Sequence, residues 1–266
     1  MALINRAERS SHWYHRDGTP CHTVIAKSTG LPRPTIVTDA RKLDLVPSVT
    51  NILAIKAKPA LITWMQDNAI MAALNTPRNP GEAESDWHTR IAEESERIGR
   101  EAAEWGELLH EQCEQRNTLG CFMGKGEILD YVAGYDEWFR ENVVEVIAAE
   151  DKIVHPLGFA GRRDLKAIIR HEGRERLAII DFKSQKLKSK PKGTFYKEWP
   201  MQLAAYADND RDAAGNLPLL VSLIIPSDRP DKVQAKVWDN GEQAWQAFKH
   251  AFGLWCYEKD YTPTPR

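Results

Sequence analysis

The sequence has no apolar run approaching the roughly 20 residues that a helix needs to cross a bilayer. Its first residues, MALINRAERSSHWYHRDG, lack the apolar centre of a secretion signal, so an intracellular, cytoplasmic protein with no membrane partner is expected. Cysteine is scarce. Cys21, Cys113, Cys121 and Cys256 are scattered and form no C-x-x-C pair, which excludes the common zinc and iron–sulfur motifs and leaves buried free thiols as the expected state. His12, His15, Cys21 and His22 lie close together, but their spacing fits no standard zinc pattern. An excess of positive charge is missing too: 36 Lys and Arg stand against 38 Asp and Glu, for a net charge of −2. The whole molecule is therefore not a basic nucleic-acid binder, and a site for a polyanion must be a local concentration of charge.

What is present is ordinary globular material, and 266 residues can bury a sizeable core without disulfides. Residues 12–38 read as a hairpin around Asp17-Gly18 followed by an irregular, proline-rich stretch. VPSVTNIL starts a helix that Ser48 or Thr50 can cap, and Lys58-Pro59 starts another through Trp64 and Met71. Ile91, Ile98, Ala102, Trp105, Leu109 and Cys113 recur at helical steps and predict a long helix over about 87–116. A second helix is expected over about 128–146. The period then changes to two. DKIVHPL, FAGRRDLKAIIR and RLAIIDFK read as three strands, EWPMQLAAYADND as a helix, LPLLVSLIIPS and DKVQAKVWD as two more strands, and EQAWQAFKHAFGLWCYEKD as a closing amphipathic helix. This order predicts an α/β fold, a central mixed β-sheet flanked by helices. Residues 1–80 are expected to be a hairpin and helical elaboration, and residues 81–266 the core.

One stretch, IIDFKSQK, carries chemistry. Strand alternation points Asp181 and Lys183 to one face and Ile180 and Phe182 to the other. Folding the hairpin about Gly173 brings Asp164 level with residues 181–183. Two carboxylates that close repel each other unless a cation sits between them, and hard oxygen ligands suit Mg²⁺ or Mn²⁺. The Phe182 carbonyl can add a neutral ligand. A cation so held binds a phosphate oxygen and acidifies a bound water, while the Lys183 ammonium orients that water and neutralises charge on the phosphorane. His110 follows Gly106 and Ala103 on a helix face cleared of bulk, so its imidazole can reach inward as a metal ligand. Gln202 and Tyr206, four apart on the next helix, can hydrogen-bond a phosphate or orient the lysine.

These residues carry a family resemblance. The set GRRD ending at Asp164, IID ending at Asp181, FK ending at Lys183, QLAAY from Gln202 to Tyr206, and GELLH ending at His110 resembles the PD-(D/E)xK nuclease superfamily. More narrowly it is similar to the RecB-like branch, over about residues 95–210. VPSVTNIL with Lys58 and Trp64 also resembles phage-type exonucleases and the mitochondrial genome maintenance exonuclease, extending the match to about residue 45. The resemblance implies a restriction-endonuclease-like αβββαβ core. It implies metal ligation by His110, Asp164, Asp181 and the Phe182 carbonyl, catalysis by Asp164, Asp181 and Lys183, and substrate placement by Gln202 and Tyr206. It also implies a metal-dependent deoxyribonuclease acting on single- or double-stranded DNA ends in recombination, repair or phage genome processing, with a recombination protein as a partner. Glu150 stands where related sequences carry an acid before the first sheet strand. Arg163 replaces the proline of the motif name, and the cysteines of the iron–sulfur relatives are absent.

The densest basic region follows the D-x-K strand. Lys186, Lys188, Lys190 and Lys192, with Arg162 and Arg163 beside Asp164, are the expected DNA phosphate contacts. Phe195, Tyr196 and Trp199 are candidates for stacking on unpaired bases. The other readings the sequence allows are a structure-specific endonuclease and a nucleic-acid-binding module on the same fold without catalysis.

Overall fold

The computed structural model describes residues 12–187 and 191–263. The amino-terminal part runs β1 (Trp13–Tyr14), β2 (Thr23–Ile25), β3 (Pro32–Pro34), α1 (Val37–Leu43), β4 (Val46–Pro47), α2 (Val49–Leu53) and α3 (Pro59–Asn75). There follow α4 (Glu84–Leu119), α5 (Ile128–Asn142), β5 (Val143–His155), β6 (Phe159–His171), β7 (Arg174–Gln185) and α6 (Trp199–Ala207). A 3-10 turn (Asp208–Asp210), β8 (Leu219–Pro226), β9 (Gln234–Trp238) and α7 (Gly241–Glu258) complete the described chain.

Local chemistry sets most of these boundaries. The Ser48 hydroxyl accepts a 3.0 Å hydrogen bond from the Asn51 N–H and caps α2. Pro59 opens α3, where its missing N–H costs nothing. Gly120 ends α4 at φ +76°. The short α1, expected to be irregular, forms because Asp39 accepts from the Ile36 N–H at 3.1 Å and is itself held by Arg33. The second long helix stops at Asn142, four residues before the expected end. The β-branched run that follows pairs into the sheet instead, Val143 with Ile169 and Val146 with Ala167.

The result is a mixed five-stranded sheet in the order β5-β6-β7-β8-β9, with helices on both faces. β7 and β8 are parallel and the other neighbours are antiparallel. Adjacent residues go to opposite cores, as a doubly covered sheet requires. Ile180, Phe182, Val221 and Leu223 pack with Leu109 and Cys113 of α4 and Val132 and Tyr135 of α5. Ile179 and Leu220 pack with Leu203 of α6 and Phe248 and Trp255 of α7. Trp13, Ala40, Leu45, Val49 and Ile52 belong to this second core, so residues 12–53 are built into it. Among the described residues no helix is long and apolar enough to cross a membrane.

Candidate metal and catalytic centre

The site forms where β6 and β7 part. Their ladder ends at the pair Leu165↔Ile180, one position short of Asp164 and Asp181. Beyond that point the Phe182 N–H has no cross-strand carbonyl, and the Asp164 carboxylate accepts it instead at 2.6 Å. The two acids, 17 positions apart in sequence, are thereby brought to the same end of the sheet. Asp181 is buried, 3% exposed. Its Oδ1 accepts from the Gln202 amide at 2.9 Å. Its Oδ2 lies 2.6 Å from the Lys183 Nζ. The ammonium is therefore the partner of this buried oxygen, and its attraction pulls against the effect of burial. Lys183 also reaches Gln202 Oε1 at 3.4 Å and lies 5.9 Å from the centre of the Trp199 ring.

Burial pushes the Asp181 carboxyl up to about 6, against the pull of Lys183 and with the push of the Asp164 charge. His110 stands with Nδ1 3.9 Å from Asp164 and its ring edge-on to Phe182. It gets there because α4 runs close to β7 at Gly106, where a Cβ would lie 2.7 Å from the Ser184 hydroxyl. Tyr206 is buried against Gly161, where a Cβ would meet the Tyr206 ring at 2.5 Å. The glycine of the G-x-x-D segment is therefore the space that lets α6 seat on β6. Burial raises the Tyr206 hydroxyl far above its ordinary range, with both aspartates adding to it.

A third acid borders the site. Glu150 adopts φ +52° inside β5, a strained region for a residue with a side chain. The pairs Ala149↔Leu165 and Asp151↔Arg163 flank it, which sets it across from Asp164. Burial and the Asp164 charge push its carboxyl up to about 7, while Arg162, paired with it, pulls the other way.

Compared with models of known protein families the chain matches none, and no curated protein sequence matches it. The functional reading therefore rests on the residues.

The residues suit a hard divalent cation in donor chemistry. Asp164 and Asp181 lie close enough for the charge of one to raise the carboxyl of the other, and both offer carboxylate oxygens. Among the described residues, no three His, Cys, Asp or Glu side chains are already closed into a metal cage. The Lys183 ammonium supplies the positive charge that Asp181 needs in this state.

The expected phosphate contacts divide. Arg162 is mostly exposed although paired with Glu150, and Lys186 and Lys192 are exposed. Lys188 and Lys190 lie outside the described residues. Arg163 requires a correction. It is 6% exposed, its guanidinium is gripped by Asp151 and Asp210, and it donates to the Tyr206 carbonyl at 3.3 Å. It ties β5, β6 and the end of α6 together and does not face a ligand. Lys166 is held by Asp210 in the same cluster. The sequence signal for this brace was the one-residue offset of Arg163 from Asp164, which strand alternation turns away from the acids. Phe195, Tyr196 and Trp199 pack edge-on among themselves and over the end of the sheet, so most of their ring surface is already used. A cavity of about 720 Å³ lies elsewhere, between the end of α3 and α4; of its three arginines, Arg90 and Arg97 are paired with glutamates.

Proposed function

We propose that the chain is a Mg²⁺- or Mn²⁺-dependent nuclease that hydrolyses phosphodiester bonds of DNA, acting from ends as an exonuclease. The observation that carries this reading is the convergence of Asp164, Asp181 and Lys183 where β6 and β7 diverge, with Asp181 buried and ion-paired to Lys183. The order of α4 and α5, β5, β6, β7, α6 and β8, with β8 parallel to β7, supports a restriction-endonuclease-like core.

Asp164, Asp181, the Phe182 carbonyl and His110 are the groups that would hold the cation, which when bound polarises a phosphate oxygen and acidifies a water. Lys183, ion-paired with Asp181, offers its ammonium to the charge that develops on the phosphoryl oxygens. Gln202 bridges Asp181 and Lys183, so it fixes the angle at which that ammonium is presented. Tyr206 locks α6 onto β6 at Gly161 and thereby holds Gln202 in place. Arg162, two positions before Asp164, and the exposed Lys186 and Lys192, which follow the D-x-K strand in sequence, carry positive charge that would attract a phosphate backbone. This reading belongs to recombination, repair or phage genome processing.

The test is digestion of end-labelled linear single- and double-stranded DNA beside covalently closed circles, with Mg²⁺, Mn²⁺ or EDTA. Metal-dependent loss of linear DNA with intact circles is the expected result. Cutting of circles makes the protein an endonuclease, and the absence of cleavage in every metal condition leaves a binding module.

A further inference from the structure

The chain carries an arm that neither core accounts for. Among the described residues, none between 56 and 104 belongs to a hydrophobic core cluster. α3 and the first half of α4 form a two-helix hairpin in which Ala72 is buried. Trp64, Met65, Asn68 and Ala72 are the less exposed positions of α3 and recur at helical spacing, and the Trp64 ring lies 3.6 Å from where a Cβ on Gly99 of α4 would stand. That is one face of α3. The other is a second, uncovered stripe: Ile62, Gln66, Ala69, Ile70, Ala73 and Leu74, all exposed. Their spacing of four, seven, eight, eleven and twelve from Ile62 is that of a helix face made to pack. Ile62, Ile70 and Leu74 are 53%, 58% and 73% exposed, too much apolar area for a helix meant to face water.

The occupant follows from charge and area. α3 carries one charged residue, Asp67, and residues 84–104 of α4 carry seven carboxylates against three arginines. An uncharged stripe on an acidic arm repels a polyanion and suits protein. The stripe exposes on the order of 400 Å² of apolar surface, so two copies would cover roughly 800 Å², the scale of a weak, concentration-dependent interface. The stripe is also complementary to itself. Its ends, Ile62 and Leu74, are both aliphatic, and Ala69 and Ala73 let two helices approach closely. An antiparallel pairing about a two-fold axis sets Ile62 against the partner's Leu74 along a helix roughly 25 Å long.

We propose that α3 is a dimerisation element, and that the arms of two copies pair through this stripe into a four-helix arrangement. The inference is independent of the catalytic reading. The experiment is sedimentation and light scattering of the full chain across micromolar concentrations. The expected result is a species of twice the 30.2 kDa chain mass. Ile70→Glu, at an exposed position, is expected to give a monomer with an unchanged circular-dichroism spectrum, while Leu254→Glu, at an exposed position of α7, leaves the dimer intact. A wild-type chain that stays monomeric throughout overturns the proposal, as does a dimer that survives Ile70→Glu or dissolves with Leu254→Glu. A monomer whose retention of an oligonucleotide falls with Ile70→Glu overturns it as well, in favour of a nucleic-acid contact.

Discussion

Asp181→Asn should stabilise the metal-free protein. The carboxyl is buried and its pKa is pushed from the ordinary 3.8 to about 6. That value already contains the attraction of Lys183, because the ammonium is present while Asp181 titrates. The raised pKa means that the folded state holds the proton more tightly than the unfolded state does. Stability is therefore unaffected by this group below about pH 4, falls as pH rises from about 4 to 6, and stays lower above that. At about 1.4 kcal/mol per unit, the ionised carboxylate costs about 3 kcal/mol at pH 8. Asparagine copies the shape of the neutral acid and removes that cost. For a chain of this size each kcal/mol moves the melting temperature by roughly 2–4 °C, so a gain of roughly 6–12 °C is expected. The assay is thermal unfolding of both proteins in EDTA from pH 4 to pH 8.5. The difference between them should be near zero at pH 4 and reach its full value above pH 6. A difference that does not change with pH, or a variant that melts lower at pH 8, refutes the account of Asp181 as a desolvated, repelled carboxylate. Adding Mn²⁺ should raise the wild-type melting temperature and leave the variant nearly unmoved.

Other consequences can be checked separately. Asp164→Ala and Lys183→Ala should each reduce cleavage of end-labelled DNA by at least about 100-fold while the circular-dichroism spectrum stays native, and near-normal turnover in Lys183→Ala would remove the role given to that ammonium. Gly161→Ala drives a methyl into the buried Tyr206 ring and should lower stability by about 1–3 kcal/mol in urea unfolding, with lowered kcat because α6 carries Gln202. Arg163→Ala strands Asp151, leaves Asp210 with Lys166 alone and opens a buried gap, and should cost about 3–5 kcal/mol, whereas Arg162→Ala, at a mostly exposed position, should cost under about 1 kcal/mol and act on DNA affinity instead. Equal stability losses for the two arginines would contradict their division into brace and contact.

The sequence alone determined the elements with strong periodicity. Helix α4 repeats apolar residues every three or four positions, and β6 and β7 alternate around a glycine turn, so their type and pairing followed from spacing. Local rules also located Pro59 and narrowed the α2 cap to Ser48 or Thr50, because a cap and a first-turn proline act within one helical turn. They failed at the end of α5, where Val143 and Val146 suit either state and the β6 partner decides. The nearness of Asp164 to residues 181–183 was legible because a hairpin register is a counting problem. Whether a side chain beside that register meets solvent or another chain segment is not. Arg163 and Arg162 are neighbours of the same type, and only the fold gives Asp151 and Asp210 to one and leaves the other at the surface. The same holds for α3, which the sequence predicts only as a helix through Trp64 and Met71 and whose faces the fold distinguishes. Only the tertiary structure determines that one of them rests on α4 and the other is uncovered, because burial depends on what the rest of the chain brings alongside.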